Sequence, residues 1–112
     1  MDIEQSAQIF RALGDHSRLQ ILSLLKSGEQ CGSDLLPQLA ISQSTLSHHM
    51  KILTESGLVA ARKAGKATYY SLSPVAAMQT EQALACVFGQ VATPVAPPPI
   101  KKKPKNQFET WL

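Results

Sequence analysis

The stretch from Ser33 to Ser56, SDLLPQLAISQSTLSHHMKILTES, closed by Gly57, leaves this chain few folds to choose from. Both ends of its second half are specified. Ser42 suits the N-cap because its hydroxyl can accept a bond from a first-turn N–H; Gly57 suits the C′ position because glycine enters the left-handed region freely. With Ser56 as C-cap, Leu53 and Leu58 fall at C3 and C″, the apolar pair that accompanies a Schellman stop. The spacing predicts a helix from Gln43 to about Ser56, reached by a tight turn from a short helix that Ser33 can cap. Pro37 falls in the first turn of that short helix, where a missing N–H costs less than in a helix interior.

At about 100° per residue, Leu46, Met50 and Leu53 line one face of the second helix, while Ser44, Ser47, His48 and Lys51 cluster on the opposite one. A solvated surface face would more often carry Glu and Lys pairs. Short hydroxyls, the Gln43 amide, an imidazole and an ammonium instead suit base edges and phosphate oxygens. Helix, turn and helix is also the arrangement that lays a reading helix in the DNA major groove. Taken alone, the same residues would serve as a helical hairpin in a small all-α domain.

The next segment weighs against that plainer reading. Leu58–Arg62 and Ala67–Leu72 read as short strands around Lys63-Ala64-Gly65-Lys66, a hairpin with a basic tip. An isolated hairpin is marginal, so this one must pack on the helices and add Arg62, Lys63 and Lys66 to the charged surface. From Ser42 to Leu72 the basic side chains are Lys51, Arg62, Lys63 and Lys66, against Glu55 alone. The expected fold is mostly α with a small β-hairpin, a winged helix-turn-helix.

Before this unit, Ile3–Leu13 reads as a helix with Ile3, Ala7 and Phe10 on one stripe and Ile9 with Leu13 beside it. Asp15 can cap a second, His16 to about Lys26, whose Leu19, Ile21, Leu22, Leu24 and Leu25 cover an arc too wide for a surface helix. After the hairpin, Ser73-Pro74 offers N-cap and N1 for a last helix, Val75 to about Val91. Its larger apolar residues fall on two arcs, Val75, Met78 and Cys86 on one and Leu84, Val87, Phe88 and Val91 on the other. One arc can cover its own domain; the second implies a partner, most economically the same helix of another copy.

At 112 residues the chain holds one core, and a core that small is easier to stabilise when two copies share it. Residues 1–92 are expected to form the DNA-binding and dimerisation domain. Residues 93–112 carry five prolines, four lysines, Phe108 and Trp111, and are expected to be an extended, flexible tail. No apolar run approaches a membrane span and the first residues lack a basic signal start, so a cytoplasmic location is expected. Two cysteines, Cys31 and Cys86, are too few for a disulfide framework and are expected to be reduced.

Over about Ile9 to Val91 the chain resembles the ArsR/SmtB family of bacterial winged-helix repressors. The resemblance rests on Ala12-Leu13-Gly14-Asp15-His16-Ser17-Arg18-Leu19 with Ile21-Leu22, and on Ser42-Gln43-Ser44-Thr45-Leu46-Ser47-His48-His49-Met50-Lys51 with Leu53 and Gly57-Leu58-Val59. Tyr69-Tyr70-Ser71-Leu72 after the hairpin completes it. It implies a homodimer, joined through the first and last helices, that represses double-stranded operator DNA until an inducer weakens binding. The DNA-binding set is then Ser42, Gln43, Ser44, Thr45, Ser47, His48 and Lys51 with Arg62, Lys63 and Lys66 of the wing.

The family's thiol sensors carry a Cys-x-Cys at the start of the third helix. Here Cys31 matches the first cysteine and Ser33 replaces the second, and one thiolate is a poor soft-metal site. The family's other metal site uses Asp and His on the last helix, and Val75–Val91 contains neither. No resident cofactor is expected. Cys31 is the candidate position for a metalloid or thiol oxidant, with Cys86 as second candidate sensor thiol or as core. His48 and His49 point about 100° apart and cannot easily share a metal; His49 is expected at the edge of the packed face. Without carboxylate pair, phosphate loop or nucleophile triad at mechanistic spacing, no enzyme is expected. The alternative to an operator-binding repressor is a winged-helix protein-interaction module with no operator.

Overall fold

The computed structural model describes residues 1–89, so the expected tail and Val91 lie outside the described residues. The elements run α1 (Ile3–Leu13), α2 (His16–Leu25), β1 (Gln30–Cys31), α3 (Gly32–Leu35), α4 (Gln43–Glu55), β2 (Val59–Ala64), β3 (Ala67–Leu72) and α5 (Ala76–Phe88). The strands form one antiparallel sheet in the order β1-β3-β2, giving a winged helix-turn-helix. Its core, built by Ile9, Ala12, Ile21, Leu25, Leu35, Leu46, Met50, Leu53 and Leu58, lies where α1, α2, α3 and α4 meet the base of the hairpin.

The helix starts follow from local chemistry. Asp2 closes a capping box on α1: its carboxylate accepts from the Gln5 N–H at 2.7 Å while the Gln5 side chain accepts from the Asp2 N–H at 3.0 Å. Asp15 caps α2 by accepting from the Arg18 N–H at 3.1 Å, and Ser42 caps α4 by accepting from the Thr45 N–H at 3.2 Å. Gly57, at φ 83°, ends α4 as expected, and its N–H bonds the Thr54 carbonyl. The other half of the stop is made by a side chain. The Ser56 hydroxyl donates to the Leu53 carbonyl at 2.7 Å and accepts from the Leu58 N–H at 3.3 Å, bridging the two groups that a Schellman motif joins directly.

Several expectations are corrected. Cys31, not Ser33, precedes α3, because Gln30 and Cys31 are first drawn into the sheet, paired with Tyr70 and Tyr69. Pro37 belongs to a single 3₁₀ turn, Leu36–Gln38, that follows α3. The second wing strand has the bounds read from the sequence, but the first runs to Ala64, which leaves a tighter tip of only Gly65 and Lys66, with Gly65 at φ 63°. Ser73-Pro74 forms a turn ahead of α5, the Ser73 hydroxyl accepting from the Val75 N–H at 3.3 Å, so the helix starts two residues later than that cap would give.

On α1 the inward face is Ser6, Ile9 and Ala12, whereas Ile3 is 65% exposed. Ser6 tolerates burial because its hydroxyl donates to the Asp2 carbonyl at 2.9 Å. On α2, Ile21 and Leu25 are buried but Leu19 lies half in solvent. The largest revision concerns α5, which packs on α1. Its buried side is Ala83, with Ala76, Gln79, Thr80 and Cys86 half-buried, so of the two expected arcs only Cys86 is partly covered among the described residues. Met78, Leu84, Val87 and Phe88 remain between 43% and 76% exposed. No helix among the described residues is long and apolar enough to cross a membrane.

Candidate nucleic-acid interface

Helix α4 divides as its periodicity requires. Leu46, His49, Met50 and Leu53 are buried, and Gln43, Ser44, Thr45, Ser47, His48 and Lys51 are exposed along the opposite side. The cap draws part of that polar face inward: the Ser42 hydroxyl also donates to the Thr45 hydroxyl at 2.9 Å and lies 3.2 Å from that of Ser44. Gln43, Ser47, His48 and Lys51 are thus the side chains of the helix whose polar ends are presented outward. Beside them, Arg11 of α1 lines a shallow groove with His48, Lys51 and Glu55, adding a cation in a direction the sequence reading did not include.

The three wing cations are not equivalent. All three are exposed near the tip, but Arg62 alone is held by neighbouring side chains. Its guanidinium makes a bidentate pair with Glu29, at 3.1 and 2.7 Å, and stacks over the Tyr69 ring with 4.8 Å to the centroid. That side-chain bond holds the Glu29 carboxyl below its ordinary value and raises Arg62 above its own. Nothing in the sequence joined residues 29 and 62; the pairing comes from β1 folding beside the hairpin.

Cys31 is buried, and its thiol donates to the Asp34 carboxylate at 3.1 Å and lies 3.0 Å from the Ser33 hydroxyl. Ser33 therefore stands against the sulfur where a second thiol would complete the family pair. One thiol, one hydroxyl and one carboxylate do not fit a soft metal ion, and no group of three or more His, Cys, Asp or Glu poised for a metal occurs among the described residues. Cys86 is a free thiol at intermediate depth on α5. Cys31 opens onto a cleft of about 500 Å³ shared with Ser33, Gln43, Ser47, Lys66 and Tyr70. Burial raises the Tyr70 phenol above its ordinary value, so it stays neutral in that cleft. The Cys31 thiol and two outward residues of α4 thus line one space, which sequence separation conceals.

His49 is inside, 8% exposed, with Nδ1 3.1 Å from the Arg18 guanidinium. An arginine alone among the leucines of α2 was the sequence's one hint of this contact.

The family model described as bacterial regulatory protein, arsR family, matches residues 15–61. The arsenical resistance operon repressor of Staphylococcus aureus is 47% identical over 73 residues, 65% of this chain and 70% of that protein. Among solved structures, HlyU from Vibrio cholerae is 34% identical with a TM-score of 0.61, covering 78% of this chain and 95% of that one. The transcriptional repressor BigR from Xylella fastidiosa is 34% identical with a TM-score of 0.58, covering 73% and 84%. The chain belongs to the arsR family of bacterial regulatory proteins and is a DNA-binding transcriptional repressor, not an enzyme.

Proposed function

We propose that this repressor binds a pseudo-palindromic operator as a homodimer and releases it when the Cys31 thiol is modified. The observation that carries the DNA reading is the polar outer face of α4, continuous with Arg11 on one side and the wing on the other. Gln43, Ser44, Ser47 and His48 occupy the N-terminal, outward half of the helix, the part that reaches base edges in this class of motif. Ser42 and Thr45 hold the helix start against the DNA backbone, and Lys51, Arg11, Lys63 and Lys66 contact phosphates. Arg62 contributes backbone charge once it leaves Glu29.

The dimer is supported by the exposed apolar residues of α5 and by Ile3 on α1, which together give the patch a second copy would cover. Release is supported by the shared cleft: a group added to Cys31 enters the space that Gln43 and Ser47 also line. The relatives named for arsenical resistance favour a metalloid as the agent. The donor set of one chain then requires a second thiol, from Cys86 or the partner copy; a thiol oxidant requires none.

The test is a fluorescence-anisotropy titration of the DNA upstream of the gene, with wild type, Ser47→Ala and His48→Ala. Each substitution is expected to relax preference at one base position, costing about 1–3 kcal/mol against the correct site. Unchanged operator selectivity in both variants would remove α4 from base reading.

A further inference from the structure

Among the described residues the buried polar or charged side chains are Ser6, Arg18 and His49, and the last two touch. The Arg18 guanidinium donates through Nε to the Ala12 carbonyl at 2.9 Å and through Nη2 to the Arg11 carbonyl at 2.8 Å. These belong to the last turn of α1, where helix carbonyls run out of i+4 partners; the Arg11 carbonyl also accepts from the Gly14 N–H at 3.3 Å. Arg18 Nη1 lies 3.1 Å from His49 Nδ1 on α4. A guanidinium can only donate, so Nδ1 must carry a lone pair and the ring proton must sit on Nε2. That nitrogen lies 3.8 Å from Asp15 Oδ2. The charged and titratable groups around His49 are therefore Arg18 and Asp15 of α2 and His48 of its own helix, whose ring centroid is 6.1 Å away. Arg11 of α1 enters the network through its carbonyl.

We infer that His49 is a positioning residue for operator recognition: through Arg18 it fastens the reading helix to the end of α1, and it does so only while Nδ1 is unprotonated. A proton on Nδ1 would set N–H against N–H and bring two cations together in a buried site, with Asp15 on the other side of the ring to draw it away. Protonation of Nδ1 then loosens α4 and lowers operator preference, against the general tendency of added positive charge to strengthen DNA binding. The inference rests on α4 being the reading helix.

The test compares the full chain as wild type, His49→Asn and His49→Leu, by anisotropy on operator and scrambled DNA from about pH 8 to about pH 5.5. Asn presents an oxygen near the Nδ1 position and accepts from Arg18 at every pH, and His48 is present in all three. At about pH 8 the Asn variant is expected within about threefold of wild type and the Leu variant at least about tenfold weaker, with Arg18 left short of an acceptor. On acidification wild type is expected to lose about tenfold in operator-over-scrambled preference, a loss the Asn variant does not show. Imidazole ¹⁵N spectra of the wild type should report the Nε2–H tautomer. Superimposable pH profiles for wild type and His49→Asn, or an Nδ1–H tautomer, overturn the inference alone. Absence of operator preference in wild type at about pH 8 overturns the reading beneath it as well. Should circular dichroism find His49→Leu unfolded, the Asn profile and the spectra decide.

Discussion

Arg62 carries the clearest contrast between what a residue type suggests and what its neighbours permit. A lone arginine on a wing next to two lysines reads as a phosphate contact, yet its fork is already filled by Glu29 and its face by Tyr69. Because the bond to Arg62 depresses the Glu29 carboxyl, the pair is complete at pH values above the ordinary 4.5 and is lost only as pH falls through a lower value. At neutral pH, Glu29 therefore competes with DNA for Arg62. Glu29→Gln is expected to strengthen binding to operator and scrambled DNA alike, and to steepen the salt dependence by about one unit as one more cation reaches phosphate. Adding Arg62→Ala should erase the gain. A salt slope unchanged in Glu29→Gln would mean that the tyrosine stack alone keeps Arg62 from the DNA.

Elements whose ends are set by their own residues were legible in the sequence. Ser42 and Gly57 bracket α4, Asp15 starts α2, and the spacing of Leu46, Met50 and Leu53 oriented α4 correctly. The helix pair and basic hairpin carried the fold class, and the resemblance carried the family. What the sequence concealed was set by distant partners. Strand β1 is two residues long, too short for any period to show, and exists because Gln30 and Cys31 pair with β3. The inward face of α1 was misjudged because Ser6 finds a carbonyl nearby and can be buried. The same placement of β1 bears on Cys31, which lies at the junction of β1 and α3 with its sulfur toward the cleft shared with α4. In a reporter strain, Cys31→Ser is expected to repress normally yet fail to respond to arsenite or hydrogen peroxide, whereas Cys86→Ser is expected to lose the arsenite response only if its thiol joins that of Cys31. Full induction of Cys31→Ser by both agents would leave the repressor without this sensor.

For the whole molecule, one chain leaves the apolar surface of α5 uncovered. A helix whose one buried residue is Ala83 turns its larger side chains outward, and Leu84, Val87 and Phe88 lie within one arc of it at 43%, 48% and 76% exposure. Fully burying side chains of this size is worth about 1.5–3 kcal/mol each, so a second copy covering the arc from both sides gains several such contributions. The resulting two-fold symmetry would set two α4 helices about 34 Å apart, one turn of DNA, facing successive major grooves. Leu84→Glu combined with Val87→Glu is expected to give a monomer in sedimentation at micromolar concentration, with the fold of each chain intact because neither residue contributes to the buried core. Operator binding should then fall by about 10²–10⁴, the loss incurred when two linked half-site contacts become independent, while binding to a single half-site stays near that of one wild-type subunit. If the double variant sediments as a dimer, or if wild type is monomeric with and without DNA, the exposed arc has another purpose and the half-sites are read one at a time.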